Sequence, residues 1–406
     1  MAKQGQIGFY GVLGVSSTKE EVDAAVRNLS PGLFPGAFCR IFPDPTNDDY
    51  CYVMHSDGVG TKVAVAYLMQ KIGFDSDAWK KLPQDGLVMN LDDMACVGAV
   101  DGPFYISSSL GRNACQTNQL NPESKVISGK IVNDLIAGAQ EFCARLTGLG
   151  IPCILTGGET ADVGDLVRTA VVDYTVFCRM KRDGVIDPLN RIALGDVIVG
   201  FSSTGQAKWE DEPNSGLGSN GFTAARHGLL SPCYRVFTET YAPETNQSLI
   251  YRGKYKLNDR LPGDSRFTIG SALISPTRTY LPLIYHILHM APGTVHAFIH
   301  NTGGGQTKIK KFGGPGLRYR KNNLFPMPPI FAAIQESSGL SHEEMYKIFN
   351  MGHRLEAIVL QRWASSLIRI SKNCGIDAQI IGAVEKNEDP HSNSVVIKTK
   401  HGTFNY

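Results

Sequence analysis

Three short acidic segments set carboxylates beside glycine and small polar residues: Ser56-Asp57-Gly58-Val59-Gly60-Thr61-Lys62, Asn90-Leu91-Asp92-Asp93-Met94 and Thr156-Gly157-Gly158-Glu159-Thr160. The first and third follow apolar, β-branched stretches, Tyr50 to His55 and Ile151 to Leu155. Each is therefore expected to be the carboxyl end of a strand that opens through a glycine turn into a helix. Glycine there lets backbone N–H groups approach a phosphate closely, and a helix start adds partial positive charge. Carboxylates alone would repel that ligand: like unit charges ~4 Å apart interact by roughly 4 kcal/mol at an effective dielectric near 20. A divalent cation between them reverses the sign, and Mg²⁺ is commonly held by one or two carboxylates plus nucleotide phosphates. The chemistry to expect is an ATP–Mg²⁺ site, although each segment taken alone is also an ordinary turn.

The elements that must position these segments alternate along the chain. Lys19 to Asn28 is expected to be helical, followed by a Pro/Gly-rich stretch from Ser30 to Gly36. Val63 to Ile72 is a helix after the first glycine turn, and Leu87, Leu91, Met94 and Val97 recur at helical spacing, which puts Asp92 and Asp93 on a helix with a buried face. Phe104 to Ser107 is a strand, Lys125 to Leu146 a long amphipathic helix, and Val167 to Met180 a strand rich in Val, Thr and Tyr. A second unit opens with the strand Asp196 to Phe201. Residues 206–218 form a loop of a length that is usually functional or mobile. A helix runs from Asn220, and Tyr241 to Phe267 is charged, Tyr-rich and aperiodic, in the manner of an insertion. Tyr280 to His289 is a helix, Val295 to His300 a strand and Glu343 to Phe349 a helix.

Taken in order, the Asp57 to Lys62 segment, an acid on a helix and Gly157-Gly158-Glu159-Thr160-Ala161 resemble the aminoimidazole ribonucleotide synthetase family. Four further blocks extend the likeness: Ser219-Asn220-Gly221-Phe222, Ser275-Pro276-Thr277-Arg278, His300-Asn301-Thr302-Gly303-Gly304-Gly305 and Glu344 to Gly352. The last two point to the purine-pathway synthetase rather than to its relatives. The resemblance implies an α+β fold of two domains with mixed sheets packed against helices. Residues 1–181 would bind ATP and metal and dimerise, and residues 182–406 would form an α/β domain completing the substrate site. It implies ATP-dependent closure of formylglycinamidine ribonucleotide to aminoimidazole ribonucleotide by a homodimer joined through its first domains. It also implies roles for individual residues. Asp57, Asp93 and Glu159 would hold Mg²⁺. Gly58, Gly60, Thr61, Lys62, Gly157, Gly158 and Thr160 would contact ATP phosphates. Ser219, Asn220, Gly221, Thr302, Gly303 and Gly304 would bind the ribonucleotide, and His300 would be catalytic.

Plainer alternatives stand beside several of these. Lys62 either meets phosphate or starts its helix, Thr160 either meets phosphate or caps a helix, and Asn220 is either an N-cap or a substrate contact. His300 is either a satisfied strand-end histidine or a catalyst. Asp134, in Val132-Asn133-Asp134-Leu135, copies the family's wording for the helix acid, but Asp93 has the family's spacing to its Gly-Ala, here Gly98-Ala99. Asp92 stands where the family has Asn. The chain departs from the family pattern at two places. The family's glycine-rich segment ahead of the first strand has only Pro31 to Ala37 as a substitute, and His353-Arg354-Leu355-Glu356 replaces small apolar residues. Another ATP-using member of the superfamily, or a non-catalytic nucleotide-binding relative, are the competing functions.

Composition is that of a soluble globular protein. The chain has 406 residues, room for two ordinary domains, with 42% hydrophobic and 19% charged residues. A formal net charge of +2 argues against a large nucleic-acid footprint. The nearest basic run, Lys308-Ile309-Lys310-Lys311 with Arg318-Tyr319-Arg320-Lys321, is either a solvated loop or a contact for a phosphorylated substrate. Nine cysteines without a Cys-x-x-Cys pair fit a reducing compartment. No stretch approaches the ~20 apolar residues of a membrane span. Met1 to Gln6 lacks the apolar centre of a signal peptide, so a cytoplasmic protein is expected.

Overall fold

The chain builds two mixed sheets, each with helices packed on it, as expected for an α+β protein. The computed structural model describes residues 9–15, 25–26, 28–117 and 124–406. Met1 to Gln6 and most of the helix expected over Lys19–Asn28 lie outside these residues.

The first sheet is assembled from β1 (Ile41–Pro43), β2 (Tyr50–Gly58), β3 (Phe104–Arg112), β4 (Cys153–Asp162) and β5 (Ala170–Lys181), in the order β1-β2-β5-β3-β4. All its pairings are antiparallel except β3 with β4. One face carries Cys51, Val53, Phe104, Ile106, Val172, Tyr174 and Val176 into the core. Helices Ala78–Ala95 and Gly129–Gly148 cover that face, and the first of them is almost wholly buried. The other face is open.

The second sheet contains β6 (Val197–Ser202), β7 (Val295–His300), β8 (Leu317–Lys321), β9 (His353–Val359), β10 (Ala378–Lys386), β11 (Ser394–Thr399) and β12 (Gly402–Asn405), in the order β12-β11-β8-β10-β6-β9-β7. Its neighbouring strands β6 and β9 are buried along their whole length, which is why β6 reads as a continuous apolar run rather than an alternation. Helix Leu281–Met290 touches both the Gln361–Asn373 helix of this layer and helix Ala78–Ala95 of the first, and so joins the two.

Most expected elements form, with shifted ends: the long helix is Gly129–Gly148 and the Val-rich strand is Ala170–Lys181. One expectation is overturned. Thr156-Gly157-Gly158-Glu159 does not turn into a helix; it lies inside β4, which runs on to Asp162. The pairing of β3 with β4 shifts register here, leaving Thr156 as the extra residue, with its hydroxyl on the Ile106 carbonyl at 2.9 Å. Gly158 is needed for this close approach, since a Cβ on it would sit 2.0 Å from the Ser108 carbonyl oxygen. Residues 206–218 are tied down on several sides, by a bond pair between Glu210 and Arg278 and by Asn350 on the Gly216 and Leu217 carbonyls. Within Tyr241–Phe267 the only regular element is the three-residue turn Gln247–Leu249.

Candidate active site

The first glycine turn forms as expected. β2 ends at Gly58, a 3-10 turn spans Gly60–Lys62, and helix Val63–Lys71 continues from it. Gly60 has φ +67°, a conformation glycine adopts freely. This turn meets the Ser219-Asn220-Gly221 segment from far along the chain: the Thr61 and Thr223 hydroxyls are 2.9 Å apart. Gly221, not Asn220, is the N-cap of helix Phe222–Leu229, and a Cβ on it would strike Ile348 and Phe349. Ser219 and Asn220 are half-buried just before it, with Asn220 Oδ1 lacking a partner among the described residues. A cavity of about 360 Å³ opens beside the turn, lined in part by Gly60, Thr61, Arg168, Asp173, Arg226 and Glu239. Lys62 does not face it. Its ammonium is fully buried, 2.9 Å from Asp85 Oδ1 and 2.6 Å from the Ser275 carbonyl, and burial lowers its pKa against the pull of Asp85. It ties the turn to the Ser275-Pro276-Thr277-Arg278 block.

Helix Ala78–Ala95 carries the two adjacent acids into different tasks. Asp92 is fully buried and caps the start of helix Leu281–Met290, accepting from Thr279 Oγ1 at 2.7 Å, Tyr280 N at 2.8 Å and Leu281 N at 3.1 Å. Asp93 accepts from His300 Nδ1 at 2.7 Å, and its second oxygen stands 3.6 Å from His55 Nε2. Burial alone would raise the Asp93 pKa, but Lys308 and His300 outweigh it and hold the carboxyl below its usual range. Asn90, one turn earlier, bonds His55 Nδ1 at 3.0 Å and the Asp57 carbonyl at 3.0 Å, so the end of β2 is anchored to the same helix face. Asp134, the competing acid, is engaged on the helix surface with Lys130 at 2.7 Å.

Beyond His300 the chain turns sharply through Gly303 and Gly304, both at positive φ, into the 3-10 helix Gly305–Lys311. That helix returns Lys308 to the site, where its ammonium donates to Thr302 Oγ1 at 3.0 Å. Phe349-Asn350-Met351-Gly352 is structural scaffolding for the neighbouring loop, which Asn350 holds through its carbonyls. The departure residues that follow lie on β9, where Arg354 Nε donates to His300 Nε2 at 3.3 Å and Glu356 pairs with Lys321 at 2.5 Å.

The third segment stands apart. Glu159 is exposed on edge strand β4, and β5 and β3 separate it from β2. At a strand spacing of roughly 4.8 Å, Asp57 and Glu159 are therefore about 14 Å apart, too far to share one ion within a chain. Among the described residues no group of three or more His, Cys, Asp or Glu side chains is arranged to hold a metal. Gly157, Gly158 and Thr160 instead line a cavity of about 310 Å³ with Ser108 and Tyr174, and Val172 borders both this cavity and the one at Gly60. Thr160 caps no helix, being within β4.

Asp173 was not expected from the sequence. Its carboxylate lies directly over Gly58, where a Cβ would overlap it, and both burial and the Asp57 charge raise its pKa. An acid inside the Val171-Val172-Asp173-Tyr174 strand run is the signal that could have found it. His55 carries no comparable local signal, whereas Lys308 belongs to the basic run already noted as a candidate contact for a phosphorylated substrate.

Comparison with known proteins agrees with this architecture. Residues 35–180 match the family model for AIR synthase related protein, N-terminal domain. The phosphoribosylformylglycinamidine cyclo-ligase of Methanococcus vannielii is 30% identical over 339 residues, covering 84% of this chain and 79% of that protein. That of Methanocaldococcus jannaschii is 30% identical over 350 residues, covering 86% and 83%. A crystal structure of a Thermus thermophilus protein shares the fold at a TM-score of 0.50 and 14% identity, over 93% of this chain and 96% of that one. With kinship at this level along most of both chains, the protein belongs to the phosphoribosylformylglycinamidine cyclo-ligase, or aminoimidazole ribonucleotide synthetase, family of enzymes.

Proposed function

We propose that this chain catalyses the ATP-dependent closure of formylglycinamidine ribonucleotide to aminoimidazole ribonucleotide, releasing ADP and phosphate. The observation that carries this is convergence: the Gly58–Lys62 turn, Asp93, the Gly221 helix start and the His300–Gly304 turn, up to 207 positions apart for Asp93 and His300, meet along one seam. The relatives that share this chain over most of its length bear the name of that reaction. An amide oxygen is a poor leaving group. Phosphoryl transfer from ATP to it makes a good one, after which an internal nitrogen attacks the carbon and phosphate departs as the ring closes. The protein's share is positioning and charge neutralisation. In our reading the Gly58–Thr61 turn and Arg168 face the ATP phosphates, and the Ser219–Gly221 helix start with Thr302–Gly304 and Lys308 faces the ribonucleotide.

Mg²⁺ fits the residues present. Asp57 and Asp173 stand on adjacent strands but leave opposite faces of the sheet, Asp57 opposite Tyr174 and Asp173 opposite Gly58, and Mg²⁺ needs only one or two carboxylates when phosphates complete its shell. Either carboxylate would hold it from its own face, and it would neutralise phosphate charge. Glu159 would serve only from the far side of the sheet.

The open face of the first sheet supports a homodimer, with the division between domains near residue 181. Met54, Phe177, Tyr105 and Ile154 form one row across four strands, and Met54 is 62% exposed. An apolar row of this kind marks an interaction surface. All nine cysteines are free, which supports a cytoplasmic setting, and no helix among the described residues is long and apolar enough to cross a membrane.

Pure protein incubated with formylglycinamidine ribonucleotide and ATP should form ADP only when the ribonucleotide is present, with one aminoimidazole per ATP. ATP consumption that ignores the ribonucleotide, or no imidazole, overturns the proposal.

A further inference from the structure

Arg354 sits on β9 where the sequence departs from the family's small apolar residues, and its guanidinium is buried, with 1% of the residue exposed. Gly218 makes room for it: a Cβ there would lie 2.9 Å from Arg354 Nη1. Nη2 donates to the Arg278 carbonyl and Nε points at His300 Nε2, 3.3 Å away. A guanidinium can only donate. His300 Nε2 must therefore accept, which leaves the imidazole proton on Nδ1, where it donates to Asp93 Oδ1 at 2.7 Å. Asp92 does not compete for the ring. Its oxygens are taken by Thr279, Tyr280 and Leu281, and it stands 4.0 Å from His300 Nε2.

We propose that Arg354 is a positioning residue that acts through His300: it fixes the imidazole as the Nδ1–H tautomer and so aims the Asp93 carboxylate, which is the group that meets the ligand. Both ring nitrogens of His300 are occupied and the residue is fully buried, whereas Asp93 keeps 7% of its surface and one oxygen turned toward His55 rather than bonded to His300. Arg354 donates to His300 and His300 donates to Asp93, a directed chain of hydrogen bonds from β9 through the end of β7 to helix Ala78–Ala95. A ring nitrogen's protonation is set by what the other nitrogen and its partners demand, and here an obligate donor makes the demand.

The test is a long-range ¹H–¹⁵N correlation spectrum of the full chain labelled in histidine, with His300 assigned by the signal lost in His300→Gln. Without any substrate, the wild type should show a protonated Nδ1 and a bare Nε2. Arg354→Met should mix or reverse the tautomers, and Arg354→Lys, which keeps a donor, should restore the original one. A protonated Nε2 in the wild type overturns the proposal even if Arg354→Met fails to fold. An unchanged tautomer in a folded Arg354→Met overturns it as well. The kinetic arm rests on the function proposed above: Arg354→Met should lose ~100-fold in kcat, the scale of a misplaced reacting group, with KM for ATP within about twofold, and Arg354→Lys should recover at least a tenth of the wild-type kcat. A wild type that makes no imidazole sinks the proposed function and leaves the tautomer result to decide on Arg354. Equal losses in kcat for Met and Lys variants, with equal tautomers, would reduce Arg354 to packing and overturn its positioning role.

Discussion

A carboxylate that meets a ligand works through its charge, so an isosteric amide should remove its effect without disturbing shape. Asp93→Asn should abolish substrate-dependent ATP turnover. Asp134→Asn should leave it within a few-fold, because surface substitutions of this kind usually change stability by no more than about 0.5 kcal/mol, and the partner that Asp134 holds is Lys130, an i,i+4 neighbour on its own helix. Steady-state ADP release checks both, and an active Asp93→Asn with a dead Asp134→Asn would move the site to the other helix. Motif spacing was enough to choose Asp93 over Asp134 as a candidate. The task of its neighbour Asp92 was not legible, because only the packing of Thr279–Leu281 shows that this acid is consumed as a cap. His55 and Arg354 were illegible as site residues for the same reason: what they touch lies far along the chain, 35 positions from His55 to Asn90 and 54 from Arg354 to His300.

At the scale of elements, the two glycine segments that looked alike separate by their neighbours. Gly60 opens a turn with nothing within 4 Å of its missing Cβ, whereas Gly158 is pressed against the β3 backbone. Gly158→Ala should therefore lower stability by about 1–3 kcal/mol, as overpacking does. Gly129→Ala, at an exposed helix start with open space, should be neutral or stabilising by up to ~1 kcal/mol. Denaturant titration of both variants distinguishes a pressed strand from an open helix start. β9 makes a second test. Burial would raise the Glu356 pKa, but Lys321 and His353 outweigh it and bring the carboxyl to about 2. An unfolded glutamate takes up its proton near pH ~4.3. Between that value and about 2 the unfolded chain binds more protons, so this contribution is fully present above the window and is lost as pH falls through it. Glu356→Gln should flatten the slope of stability against pH in that window. An unchanged slope would show that Glu356 titrates as an ordinary exposed carboxyl.

For the whole molecule, the open sheet face is the feature with the largest consequence. Sedimentation at micromolar concentration should give a dimer. Met54→Glu with Tyr105→Glu should give a monomer that keeps its secondary structure, because both side chains stand on the solvent face of the isolated chain. A wild-type monomer, or a dimer indifferent to both substitutions, would remove the sheet face from the assembly.

Local information determined the strands and helices, the first glycine turn and the family, because propensity, periodicity and motif order act over a few residues and survive insertions. Tertiary structure alone decided that the Gly157-Gly158 segment is a bulged edge strand, that Lys62 is a buried tie rather than an exposed phosphate contact, and that Arg354 lies behind His300. Each of those outcomes depends on which distant backbone or side chain occupies the adjacent space: the Ser108 carbonyl, the Asp85 carboxylate and the room left by Gly218. A carboxylate or a guanidinium has the same intrinsic chemistry wherever it stands. The partner that packing brings within about 3 Å settles whether it faces the ligand, caps a helix or holds another side chain in place.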